Sequence, residues 1–205
     1  MKVDLGLEDS DALLLVDVQN DFITGSLKVP HASFILPEIT YWIKRFWCDD
    51  LPIVATRDYH PEDHCSFKEQ GGNWVPHCVA GTKGALLHKS ILELEKKLEL
   101  EIERFDKGTN SFKDSYSGFN IQSSLPYGED AHSNLDEYLQ EMGINRLIVM
   151  GLATDYCVKA TVLDALLFGE YEVIVINDGI EGVGIKENDI SNALGEMVYH
   201  GAIII

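Results

Sequence analysis

The stretch RLIVMGLATDYCVKATVLDALL, residues 146–167, decides the fold. Its first five residues form a short, nearly unbroken apolar run rich in Ile and Val, which fits a strand buried on both faces. Gly151 follows, and residues 155–167 then carry apolar positions at helical spacing behind Thr154 and Asp155, either of which can serve as an N-cap. Strand, tight turn and helix form the repeating unit of a parallel sheet. Working outward, residues 12–16 read as a buried strand ending at Asp17, and 53–56, 173–176 and 202–205 as further strands. Residues 34–47 place Ile35, Ile39, Trp42, Ile43 and Phe46 on one helical face, and 134–141 and 186–199 are further helices. Residues 101–105 fit a strand by spacing, whereas 91–100, rich in Glu, Lys and Leu, fit a short helix. The expected architecture is α/β: a three-layer α-β-α sandwich with a mostly parallel central sheet, in a single domain over residues 1–205.

The chain has 205 residues, with 16 Lys and Arg against 34 Asp and Glu and a formal charge of −18. A surface that negative repels phosphate backbones and anionic lipid, so nucleic acid and membrane are excluded as first partners and a neutral small molecule is favoured. No stretch of 18 apolar residues occurs, nor a basic segment followed by an apolar run at the start. Cys48, Cys65, Cys78 and Cys157 form no CxxC pair. Reduced thiols and a cytoplasmic location are the expectation.

In open parallel sheets, ligands bind beyond the carboxyl ends of the strands. Asp17, residues 57–60, Lys107 and residues 151–157 all follow expected strands, so they converge on one edge. In RDYHPEDH, Asp58 and His60 are two apart on extended chain and project to the same side. With His77 in WVPHC they offer one carboxylate and two imidazoles, a set suited to zinc, iron or manganese with positions left open. A solvated polar loop is the competing account of the first pair. His64 and Glu69 are lesser candidates, His64 because a fourth protein ligand crowds a substrate. Cys157 falls in the first turn of the expected helix, where free N–H groups and the positive helix end lower a thiol pKa and can hold an oxyanion. A small core cysteine is the alternative. Cys48 reads as helix packing, and Cys65 and Cys78 as loop or near-site packing. Asp17 ends a buried strand and needs a partner or a role, as base to a thiol or as an N-cap. Lys107, in RFDKG, has the context of an ordinary solvated lysine.

Together these segments resemble the isochorismatase-like cysteine hydrolases, and among them the nicotinamidases. The resemblance runs through LLLVDVQNDF, ATRDYHPEDHCSF, WVPHCVAGTKGA, DKGTNSF, SYSGF and GLATDYCV. It implies an Asp17–Lys107–Cys157 triad and a divalent metal, zinc ahead of iron or manganese, on Asp58, His60 and His77, with His64 a ligand in only some relatives. It implies a ring pocket lined by Phe22, Trp74 and Tyr116, an oxyanion hole from the N–H groups of Ala153 and Cys157, and a cis peptide between Leu152 and Ala153. The implied activity is hydrolysis of nicotinamide to nicotinate and ammonia through a thioester on Cys157, with the metal selecting the pyridine ring. A homo-oligomer is compatible with the resemblance. The rivals are another amidase of the superfamily, acting on a carbamoyl or ureido group, and a catalytically silent binding protein on the same fold.

Overall fold

The computed structural model describes residues 5–119, 135–167 and 171–205. Six strands form one sheet: β1 (Asp11–Val16), β2 (Ile53–Asp58), β3 (Glu103–Lys107), β4 (Arg146–Leu152), β5 (Glu172–Glu181) and β6 (Ile203–Ile204). Their order across the sheet is β3-β2-β1-β4-β5-β6, and every neighbouring pair is parallel. The helices are α1 (Asn20–Ile23), α2 (Leu36–Cys48), α3 (Lys89–Leu98), α4 (Leu135–Glu141), α5 (Lys159–Leu167) and α6 (Asp189–Tyr199).

The alternation of side chains along a strand sorts the core into two layers. Leu13 and Leu15 of β1 pack with Ile39, Ile43 and Phe46 of α2 and Ile91 and Leu94 of α3. Ala12, Leu14 and Val16 face the other way, onto Leu135 and Leu139 of α4, Val162 and Ala165 of α5 and Met197 of α6. Helices therefore cover both faces, and all six residues of β1 are buried. That explains why the strand reads as a continuous apolar run instead of an alternating one.

Strand order reverses between β1 and β4, and a crevice opens there beyond their carboxyl ends. Gly151, near the end of β4, has φ +130, and a Cβ at this position would run into the Val16 backbone. Glycine thus lets the two central strands close up beside the crevice. Asp17 leaves β1 at φ +49, a left-handed turn that aspartate tolerates better than most residues.

Several boundaries differ from the sequence reading. The segment at 101–105 is a strand, begun later, at Glu103, after helix α3. The first residue of the expected helix 134–141 lies outside the described residues. The helix expected over 186–199 starts at Asp189, whose Oδ2 accepts the Lys186 N–H at 2.8 Å. The single helix expected over 155–167 is two pieces: a π turn over Thr154–Val158, then α5. Neither Thr154 nor Asp155 is the N-cap of that turn; Ala153 takes the position, with no side-chain cap. Cys48, expected to pack in α2, is exposed at its end.

Candidate active site

Three strands end in the residues of the site. Asp17 directly follows β1, Asp58 closes β2 and Lys107 closes β3, while the π turn after β4 presents Cys157. All four are buried, with Lys107 only 1% exposed. The Lys107 ammonium gathers the others. It donates to Asp58 Oδ1 at 2.5 Å, to Cys157 Sγ at 3.4 Å and to the Ser115 carbonyl at 3.3 Å. Asp17 Oδ2 is a fourth neighbour, at ion-pair distance of 2.9 Å. An ammonium has three N–H bonds, and this oxygen receives none of them in hydrogen-bonding geometry. Among the described residues it is the one buried side-chain oxygen or nitrogen without a hydrogen bond. The other oxygen, Oδ1, accepts from Thr56 Oγ1 at 2.7 Å.

Burial raises the Asp17 carboxyl above the usual carboxylate range, and Asp58 adds to this against the pull of Lys107. Burial acts on Asp58 in the same sense, but Lys107, His60 and His77 outweigh it and hold that carboxyl well below the usual range. Burial opposes the charge on Lys107, yet Asp17 and Asp58 keep it firmly protonated. Cys157 departs from the sequence expectation. Burial pushes its thiol well above the usual value; Lys107 opposes this, and the carboxylates of Asp17 and Asp58 reinforce it. Burial and the two carboxylates thus favour the thiol of Cys157 over its thiolate.

Asp58 turns its other oxygen to the histidines. Oδ2 lies 3.5 Å from His60 Nε2 and 3.9 Å from His77 Nε2. Donor atoms of Asp58, His60 and His77 all lie within 4.8 Å of one another, and all three residues are buried. Each imidazole donates Nδ1–H to a carbonyl, His60 to Gly108 at 2.8 Å and His77 to Val75 at 2.8 Å. In the neutral rings that fixes the tautomer and leaves both Nε2 lone pairs facing the carboxylate, as a metal-binding set requires. Gly108, at φ +63, keeps its carbonyl there because a Cβ would collide with the His60 ring. His64 stacks on His60 with centroids 4.1 Å apart, but both its nitrogens are engaged: Nδ1 with Ser66 Oγ at 2.8 Å and Nε2 with the Lys113 carbonyl at 3.2 Å. It is outside the converging set. Glu69 is exposed and is outside it as well.

A cleft of ≈ 60 Å³ joins the thiol to the histidines, lined by Phe22, Trp74 and Tyr116 among others. Trp74 Nε1 donates to Tyr116 Oη at 3.2 Å. Tyr156, which the sequence reading missed, packs against both rings at 5.2 and 5.6 Å between centroids. Its signal was available: it is the large aromatic neighbour of the candidate nucleophile. Gln19 was missed too. Buried in the same crevice, it accepts from the Asp58 N–H and donates to the carbonyls of Asp58 and Ala85, which fixes the end of β2. The peptide between Leu152 and Ala153 is cis. A roomier hollow of ≈ 520 Å³ near Phe34, Asp178 and Ile190 contains neither a cysteine nor a histidine. Among the described residues, the small cleft is where the thiol, a carboxylate and the imidazoles meet.

The isochorismatase domain family matches residues 11–205. The chain is 40% identical to the nicotinamidase of Escherichia coli (strain K12) over 211 aligned residues, covering 94% of this chain and 93% of that protein. The crystal structure of the pyrazinamidase of Pyrococcus horikoshii in complex with zinc superposes with a TM-score of 0.79 at 36% identity, over 96% of this chain and 98% of the other. PnC1 from L. infantum in complex with nicotinate gives 0.81 at 30% identity, over 99% and 96%.

Proposed function

The chain belongs to the isochorismatase family, and from that premise we propose that it is a nicotinamidase, hydrolysing nicotinamide to nicotinate and ammonia through a thioester on Cys157. The observation that carries the reading is the buried meeting of Asp17, Lys107 and Cys157 beside Asp58, His60 and His77. The likeness to nicotinamidases and pyrazinamidases supports the choice of a small ring amide as substrate.

The chemistry follows from the geometry. Asp17 Oδ2 has an unused lone pair and a raised proton affinity, so it takes the thiol proton. Lys107, 3.4 Å from the sulfur, stabilises the thiolate as it forms. The sulfur attacks the carboxamide carbon, and the N–H groups of Ala153 and Cys157 receive the oxyanion, an interaction of about 2.7–4 kcal/mol per donor in comparable sites. Collapse of the tetrahedral adduct breaks the C–N bond, and Asp17 returns its proton to the departing nitrogen. Asp17 then accepts a proton from water as water attacks the thioester, releasing nicotinate and restoring the thiol. Phe22, Trp74 and Tyr116 hold the ring. Asp58, His60 and His77 would hold one divalent ion, zinc ahead of iron or manganese. Such an ion, when bound, supplies Lewis acidity and a docking point for the pyridine nitrogen.

The same proposal treats residues 1–205 as one domain. The four free cysteines suit a cytoplasmic setting, and among the described residues no helix is long and apolar enough to cross a membrane. Ammonia release from nicotinamide, with metal analysis of the same sample, tests the reading. Turnover with about one equivalent of metal is expected, with loss of activity on chelation and recovery on adding zinc, iron or manganese. A metal-containing protein that releases no ammonia from nicotinamide would refute the substrate; an active protein free of metal and indifferent to chelators would refute the metal site.

A further inference from the structure

Asp155 sits two residues before the nucleophile, yet its carboxylate turns away from the turn that carries Cys157. Oδ1 accepts the Val183 N–H at 2.8 Å and Oδ2 accepts the Gly184 N–H at 2.9 Å. Two successive backbone donors on one carboxylate fix the orientation of the segment after β5 as well as its position. The segment is built to be gripped. A Cβ on Gly182 would crowd Asp155 Oδ1 at 3.1 Å and collide with Ile190, and Gly184 completes the bend at φ +61. The bend presents the Val183 side chain to the cleft, where it shares the lining with Cys157 and Ala153. Val183 is half-buried against the core that also contains Phe22 and Val29. A valine has no polar group to anchor it, so its place in the cleft lining depends on the backbone that Asp155 holds. The π turn has its own support, because the Ala153 carbonyl accepts from both Tyr156 and Val158 N–H groups.

We propose that Val183 is a substrate-contacting wall of the ring pocket and that Asp155 is its positioning residue. The proposal rests on the amidase reading above. The β-branched side chain is stiff at χ1, which makes it a fixed spacer against a flat ring. Removing the wall, or releasing it, weakens ring binding while Asp17, Lys107 and Cys157 stay assembled.

The test is a double-mutant cycle on nicotinamide hydrolysis with Val183→Ala, Asp155→Ala and the pair. Each single change is expected to raise KM about tenfold, the range for losing an apolar contact in a pocket, with kcat changed by less than about threefold. The pair should raise KM little beyond either single change, because both remove the same contact. Hydrogen exchange at the Val183 and Gly184 amides is expected to speed up in Asp155→Ala. A drop in Tm with unchanged KM would make Asp155 merely structural and overturn the proposal, as would KM effects that multiply in the pair. If the wild-type protein releases no ammonia from nicotinamide, the amidase reading and the wall role fail together. The positioning role is then decided by exchange alone, and wild-type rates in Asp155→Ala overturn it.

Discussion

Lys107 holds two buried carboxylates and a thiol, and nothing in the five residues RFDKG announces this. Replacing it with Ala leaves the buried Asp17 carboxylate without its cation, and breaking a buried ion pair in this way costs about 3–5 kcal/mol. Denaturant titration should show that loss, and ammonia release should fall by at least about a thousandfold. Lys107→Arg should rescue neither fully, because a planar fork cannot point its donors along the three directions the ammonium uses. A variant with wild-type stability and turnover would return Lys107 to the status of an incidental buried lysine. Cys157→Ala should abolish turnover, by about ten-thousandfold or more, while the circular dichroism and Tm stay near wild type; residual activity within tenfold would remove the nucleophile. The sequence made the convergence of these residues readable, mostly by resemblance, but the state of the thiol was not readable. A helix-end argument alone lowers its pKa. The raising effects come from burial and from the carboxylates just after β1 and at the end of β2, and a local reading has no means to sum effects from separate strands.

Elements were legible where one local signal dominates. The apolar spacing of Ile35, Ile39, Trp42, Ile43 and Phe46 announces α2, which starts two residues later than the 34–47 reading, and the apolar run at 12–16 announces β1, which starts one residue earlier. They were illegible where tertiary partners decide. β5 runs on past the apolar residues 173–176 to Glu181, because it continues alongside β4 across a register shift between Val149 and Gly151. Helix α3 has an unusual start: its N-cap is His88, whose Nδ1 accepts from Ser90 Oγ at 2.8 Å and, more weakly, from Ser90 N–H at 3.4 Å. Only the neutral ring can accept at Nδ1, and burial, with Lys89 adding to it, lowers the pKa of the imidazole. A folded pKa below the unfolded one means that the unfolded chain binds the extra proton first. The cap's contribution is therefore complete above the unfolded value of about 6.5 and is lost as pH falls from there through the folded value. A cap is worth about 0.5–2 kcal/mol. His88→Asn, which caps without titrating, should lose less stability than wild type between about pH 7 and pH 5, measured by denaturant midpoints. Parallel curves for the two proteins would show that the cap does not titrate.

At the scale of the molecule, a charge of −18 works against compactness. Salt screens that repulsion over a shorter distance as its concentration rises, so Tm should climb between about 0.05 M and about 0.5 M sodium chloride. A flat or falling Tm would mean that the carboxylates are locally compensated by pairs such as Arg146–Asp11 and Arg104–Glu95. The three-layer architecture and the edge that carries the chemistry were both legible, because a strand-and-helix alternation admits few arrangements and each of them puts ligands beyond the strands' carboxyl ends. That one-sidedness has a practical reach. The opposite edge, where the chain enters its strands through residues 49–52 and 142–145, lies about 20 Å from the cleft, the length of a six-residue strand. Cys48 stands at that edge as the exposed thiol, while Cys78 and Cys157 are buried and Cys65 is half-covered. A maleimide tether on Cys48 would fix the protein to an electrode or a bead with its mouth turned outward, so the chain brings its own attachment point for a sensor that reads ammonia.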